Sequence, residues 1–261
     1  MKQLISITLA LTLVSVSCNI SFPNTTRGSG NIVTKSYEVN DFDQVELNTI
    51  GEVRIEQGNS PSLTIETDDN ILPLLEVKVE GGNLTLGVKN DANIKPSKEI
   101  IFHIVVKTLS ALTTNSSGDF YAGHIEGSTL EIFVNGSGSV SLKDVNVKDI
   151  LITSNGSGNV RVDTIDADSI RTALLASGNV QLAGVAISHN VESNGSGDVI
   201  ADDLKTSDTR INLQASGDVA VWVLDTLDVT LFGSGRVEYY GAPRVTQKPA
   251  GSEALLSLGD K

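Results

Sequence analysis

"SNGSGNVRV" (Ser154–Val162) joins a polar, turn-forming stretch to the start of an apolar/polar alternation. Nearly the same words stand at "VNGSGSVSL" (Val134–Leu142) and "SNGSGDVIA" (Ser193–Ala201). Ser-Gly pairs recur at Gly118, Gly138, Gly158, Gly178, Gly197, Gly217 and Gly235, spaced 20, 20, 20, 19, 20 and 18 residues apart. A near-constant period of this length marks a solenoid, in which each repeat buries its apolar face only by stacking on its neighbours. Glycine takes up positive φ without steric cost and Asn tolerates it, so each pair reads as one corner of the coil.

The residues between the pairs identify the solenoid. Two positions after each glycine stand Phe120, Val140, Val160, Val180, Val199, Val219 and Val237. Four positions after stand Ala122, Leu142, Val162, Leu182, Ala201, Val221 and Tyr239. Seven positions after stand Ile125, Val145, Ile165, Val185, Leu204, Leu224 and Ala242. Within "GSVSL" and "GNVRV" apolar and polar residues alternate, which is strand periodicity with one buried face. The odd step from the second column to the third breaks that alternation and implies a corner between two strands. No L-x-x-L-x-L frame or recurring helix is present, so the expected fold is all-β: a β-helix-like solenoid with rungs of about 20 residues. Asn135, Asn155 and Asn194 are expected in one column, where side-chain amides can form a hydrogen-bonded ladder.

Residues 114–245 read as regular rungs and 31–113 as less regular strands. Within the latter, Val53 and Ile55 follow Gly51 much as the later columns follow their glycines. Gly81-Gly82-Asn83 between two alternating runs signals a hairpin, and "DDNILPLLE" (Asp68–Glu76) a short helical turn. Residues 246–261 form a tail, expected to be loosely held after Ala250.

The chain of 261 residues carries a formal charge of −13, only 4% aromatics and a single cysteine, Cys18. Its core must therefore be aliphatic, and it can form no intrachain disulfide. The negative charge argues against nucleic-acid binding, which needs a basic surface to release counterions, and against basic docking on anionic lipid. It serves solubility first and leaves divalent cations or a basic partner as the charged ligands it could attract.

"MKQLISITLALTLVSVSC" (Met1–Cys18) has a basic start, an apolar run and a small-residue finish, the layout of a secretory signal. Its end resembles the lipobox of bacterial lipoproteins, with Ser15 where leucine is usual. That resemblance implies cleavage of residues 1–17 and acylation of Cys18, with membrane attachment through the lipid. Residues 18–30 are polar and Gly/Ser/Thr-rich and read as a flexible tether.

Taken together, Cys18, "GSGNIVTKSYEVNDFDQVELNTIGEVRIEQG" (Gly28–Gly58), "ETDDNILPLLEVKVEGGNLTLGVK" (Glu66–Lys89), the Ser-Gly series and "GSGRVEYYGAPRV" (Gly233–Val245) resemble the head GIN domain family of auto-transporter adhesins, over roughly residues 31–245. The resemblance implies a β-helix-like fold on an exported, often lipid-anchored bacterial protein, a domain of unknown function without defined catalytic residues. It places the protein in the cell envelope, as an outer-membrane lipoprotein of a Gram-negative bacterium.

Little in the sequence carries chemistry. His103, His124 and His189 share no short spacing with Cys or carboxylates, and no zinc frame, nucleophile elbow or phosphate loop is present. The sequence calls for no cofactor. The column just after each glycine is polar: Asp119, Ser139, Asn159, Asn179, Asp198, Asp218 and Arg236. Asp198 and Asp218 fall on adjacent rungs about 4.8 Å apart. They either face water or share a Ca²⁺ that relieves their repulsion. Trp222, Tyr239 and Tyr240 near the last rung either cover the open end of the coil or stack on sugar rings. The leading function is a non-enzymatic binding module whose extended face takes a glycan or a surface protein. The alternatives are a carbohydrate-active β-helix enzyme, which would need a groove of clustered carboxylates, and a structural envelope scaffold.

Overall fold

The computed structural model describes residues 25–249 and 254–261. The signal segment, Cys18 and the tether up to residue 24 lie outside the described residues. The body is a β-solenoid of about seven turns. Six long strand segments, Asp119–Val134, Val140–Ser154, Val160–Leu174, Val180–Ser193, Val199–Leu213 and Val219–Leu231, each wrap most of one coil. Each pairs in parallel with the next. Val140, Val160, Val180, Val199, Val219 and Val237 are successive register partners and form one vertical file, as the sequence columns require.

Burial along one coil shows its cross-section. Gly138, Val140 and Leu142 point inward, then Val145 and Val147, then Ile150, Ile152 and Ser154. The alternation slips by one residue after Leu142 and again after Val147, and the four-residue step from Ser154 to Gly158 closes the coil. Three short faces therefore meet at three corners around an aliphatic interior. Burial of the inward files is the principal stabilising term, since each stacked side chain loses apolar surface to the coils above and below.

The seven-after column holds only in part. Ile125, Val145, Ile165 and Leu204 are buried, but Val185 is 47% exposed and Leu224 42% exposed. Their coils are the 19- and 18-residue ones, and both drop residues before this point. In the first, Gly184 replaces the missing residue: it pairs with Ile165 at φ +123°. A Cβ there would lie 2.2 Å from the Ile165 carbonyl oxygen. In the second, Trp222 pairs with Lys205 while Val221 pairs with Ala201, which leaves Asp202, Asp203 and Leu204 as an unmatched step.

The N-terminal strands repeat poorly in sequence because chain order is not stack order. Gln44–Leu47 and Glu52–Gln57 lie directly under Ala111–Thr114 and the start of Asp119–Val134. Val53 and Ile55 align with Phe120 and Ala122. Below them, also in parallel, come Asn83–Val88 and Ile101–Val106. The end of the stack then turns antiparallel: Ser62–Asp68 pairs with Ile101–Val106 and with Ile32–Tyr37, and Leu75–Glu80 forms the expected hairpin with Asn83–Val88. The outermost strands carry Lys35, Glu76, Lys78 and Glu80, charges that discourage edge-to-edge pairing. A 3-10 turn occupies Leu72–Leu74.

At the other end Val237–Tyr240 and Arg244–Lys248 form the last partial coil. The described part of the tail is not loose. Leu255–Ser257 adds a strand beside Val237–Tyr239.

Candidate binding surface

The Ser-Gly corner is a stack of backbone. Each of its seven glycines is buried, and none is among the positive-φ residues, so the turn-conformation reason expected from sequence is replaced by another. A Cβ on Gly138, Gly158, Gly178, Gly197, Gly217 or Gly235 would lie 1.9–2.0 Å from the carbonyl oxygen of the glycine one coil below. Only a residue without a side chain lets the coils approach this closely.

Two polar ladders flank that column. Asn155 donates from Nδ2 to Asn135 Oδ1 at 2.9 Å, and Asn135 to Asn115 Oδ1 at 2.8 Å. Asn115 continues to Asn48 and Glu46. Leu175 interrupts the file, and Asn194 bonds Glu192 instead. The second ladder is the column that held the candidate cation pair. The side-chain oxygen at each position accepts the backbone N–H one coil on: Asp119 from Ser139, Ser139 from Asn159, Asn159 from Asn179, Asn179 from Asp198, Asp198 from Asp218, and Asp218 from Arg236. Asp198 Oδ1 to Asp218 N is 2.8 Å, and Asp218 Oδ2 also takes Arg236 Nη2 at 3.3 Å. Asp, Asn and Ser interchange here because all three supply an acceptor oxygen. Among the described residues no three His, Cys, Asp or Glu side chains gather as a metal site requires.

The outward files face solvent. The third face carries a cleft of about 500 Å³ lined by Ser169, Arg171, Ser188, Asn190 and Arg210. Arg210 Nη2 reaches Asp228 at 3.4 Å. Beneath it, in the core, lies His189, 2% exposed, whose Nε2 meets Thr172 Oγ1 at 3.0 Å while Nδ1 has no partner among the described residues. Burial pushes its pKa down to about 4, so the ring is neutral at pH 7. A second cleft of about 470 Å³ lies by Gln57 and His124. Gln57 closes the edge of the Glu126 backbone, accepting its N–H at 2.8 Å and donating to its carbonyl at 2.9 Å. His124 Nδ1 meets Asp144 Oδ2 at 2.7 Å, and that bond raises the exposed imidazole's pKa. Among the described residues its other partner is also a carboxylate, Glu126, at 3.8 Å. His103 stands exposed on the strand Ile101–Val106.

The terminal aromatics separate. Tyr239 faces inward and packs on the core, whereas Trp222 and Tyr240 are register partners in one outward file. Their rings already carry cations: Lys205 Nζ lies 5.1 Å from the Trp222 ring, and Lys261 Nζ lies 4.9 Å from Tyr240 and 6.0 Å from Trp222. Sequence reasoning missed Lys261 because its partners Asp202 and Asp203 lie 59 and 58 residues away in the chain.

Residues 41–243 match the model of a family described as "Putative auto-transporter adhesin, head GIN domain". The chain belongs to the head GIN domain family. Three solved structures share the fold of this head GIN protein. One titled a putative lipid binding protein, from Parabacteroides distasonis, is 24% identical with a TM-score of 0.78, over 90% of this chain and 97% of that one. One titled a putative adhesin, from Parabacteroides merdae, is 23% identical with a TM-score of 0.75, over 91% and 98%. Another putative adhesin, from Bacteroides fragilis, is 21% identical with a TM-score of 0.65, over 90% and 96%. No curated protein matches the chain at a significant level.

Proposed function

We propose that this head GIN protein is a non-enzymatic, lipid-anchored envelope protein of adhesin type, exported to the outer membrane of a Gram-negative bacterium and held there through Cys18. Its extended outward face binds a glycan or a surface protein. One observation carries the reading: the polar residues at the repeating corner bond one another in coil-to-coil ladders, while on the third face the outward file Leu151, Arg171, Asn190, Arg210 and Asp228 runs unbroken over successive coils. A rigid surface of this kind suits contact along a length rather than chemistry at a point. The names of the Parabacteroides and Bacteroides structures, adhesin and lipid binding, favour binding over turnover.

The test is a glycan array and a surface-protein pull-down with the purified protein. Saturable binding with unchanged ligand is expected, and shortened oligosaccharide would overturn the reading. For the anchor, Cys18→Ala is expected to leave the membrane fraction, and retention there would refute lipid attachment.

A further inference from the structure

The end of the chain is seated in a site with the chemistry of an ammonium receptor. Coil 199–213 is longer than coil 219–231 at the first corner, so Asp202 and Asp203 stand out as a step beside the Trp222–Tyr240 file. Lys261 crosses that file and ends in the step. Its Nζ donates to the Asp202 carbonyl oxygen at 2.6 Å, to Asp202 Oδ2 at 3.2 Å and to Asp203 Oδ1 at 2.6 Å. Three acceptors match the three N–H bonds of a primary ammonium, and two aromatic faces add cation–π attraction. Desolvation alone would lower the pKa of this amine, but the bonds from Asp203 and Asp202 outweigh it and the net shift is upward. The tail that delivers Lys261 is laid along the last coil by backbone bonds: Val237 N–H donates to the Ala254 carbonyl at 2.8 Å, Leu255–Ser257 pairs with Val237–Tyr239, Leu258 N–H donates to the Tyr239 carbonyl at 2.9 Å and Gly241 N–H to the Gly259 carbonyl at 2.9 Å.

We infer that Asp202, Asp203, Trp222 and Tyr240 form a recognition site for the primary ammonium of a lysine on a basic partner protein, and that the chain's own Lys261 holds it shut. The net charge of −13 favours a basic partner through long-range steering. Opening requires the incoming ammonium to replace Lys261, so the apparent affinity of the intact chain is reduced by the fraction of time its tail is away. The inference deepens the binding-module reading and rests on it for the existence of a partner, but the site can be tested alone.

Trp222 is the only tryptophan in the chain, so its emission reports on this site directly. The full chain with Lys261→Ala is titrated with Nα-acetyl-lysine amide. A saturable change in Trp222 emission is expected, with an apparent Kd at least tenfold tighter than in the parent, and lost on adding Asp202→Asn and Asp203→Asn. No saturable change, or an equal change with the Nε-acetylated probe, would overturn the site. A stronger response to glucosamine would overturn the protein partner in favour of an amino sugar. Should Lys261→Ala loosen the last coil, Asp202→Asn/Asp203→Asn in the parent serves instead: releasing Lys261 must shift Trp222 emission, and an unchanged spectrum overturns the site. A surface protein captured equally by parent and Lys261→Ala sinks this inference and leaves the binding module standing. Lysine-probe binding without any captured partner does the reverse.

Discussion

Replacing Gly158 by alanine places a methyl group 1.9 Å from the Gly138 carbonyl oxygen and 3.0 Å from Val134 Cγ1. A carbon–oxygen contact needs about 3.3 Å, so the coils must part here by roughly 1.4 Å. At this corner Ser157 N–H and Gly158 N–H both bond the Gly136 carbonyl, at 3.0 and 3.3 Å. Lengthened by that amount, neither survives as a hydrogen bond. Two lost bonds at ~1 kcal/mol each and overpacking of 1–3 kcal/mol, an order-of-magnitude range, are offset by ~0.5 kcal/mol from a stiffer unfolded chain. The expected cost is about 2.5–4.5 kcal/mol, read as a lower urea midpoint and a melting temperature lower by roughly 5–18 °C. Ser157→Ala, on the exposed side of the same corner, is expected to stay within ~0.5 kcal/mol of the parent. Gly158→Asn separates two causes. Asparagine tolerates positive φ, so it would outperform alanine if conformation were the reason for glycine, whereas the steric clash predicts that it does no better. An alanine variant within ~0.5 kcal/mol of the parent, or an asparagine variant that beats it, refutes the reasoning.

Two further outcomes follow from the interior and the ladder. Asp198→Asn keeps an oxygen for the Asp218 N–H and should leave the urea midpoint unchanged, while Asp198→Ala orphans that donor and should cost ~1 kcal/mol; equal loss in both variants would contradict the ladder. His189 is neutral in the fold, with its pKa lowered to about 4. Above pH 6.5 both folded and unfolded states are neutral, so it adds no pH dependence. Between 6.5 and 4 the unfolded chain gains a proton that the folded one refuses, and stability falls by ~3 kcal/mol in all. His189→Ile, which continues the file of Ile150 and Ile170, should remove that part of the acid slope. Parallel slopes for parent and variant would show that the histidine is not the cause.

The repeat was legible because its coils are nearly equal in length. Where they are not, a fixed offset misplaces Val185 and Leu224, since a dropped residue moves every later side chain to the opposite face. The positive-φ reading of the Ser-Gly glycines failed because their constraint comes from the neighbouring coil, about 20 residues away. At the N-terminal end the chain visits the stack out of order: Gln44–Leu47 lies under Ala111–Thr114, and no period survives such a detour. The polar column after each glycine was visible, but its purpose was not. Whether an aspartate faces a cation, water or an amide depends on the direction of one carbonyl plane, which spacing does not encode. Lys261 and Asp202 are 59 residues apart and meet only because the tail folds back.

Spin labels on Ser137→Cys and Ser216→Cys test the stack most directly. Both corners are exposed and belong to the same Ser-Gly file, four coils apart. At about 4.8 Å per coil the backbones are separated by roughly 19 Å despite 79 intervening steps of sequence. A narrow distance distribution centred near that value is predicted, shortening by one coil spacing when the second label moves to Ser196. A broad distribution, or one that does not shorten on that move, contradicts the account.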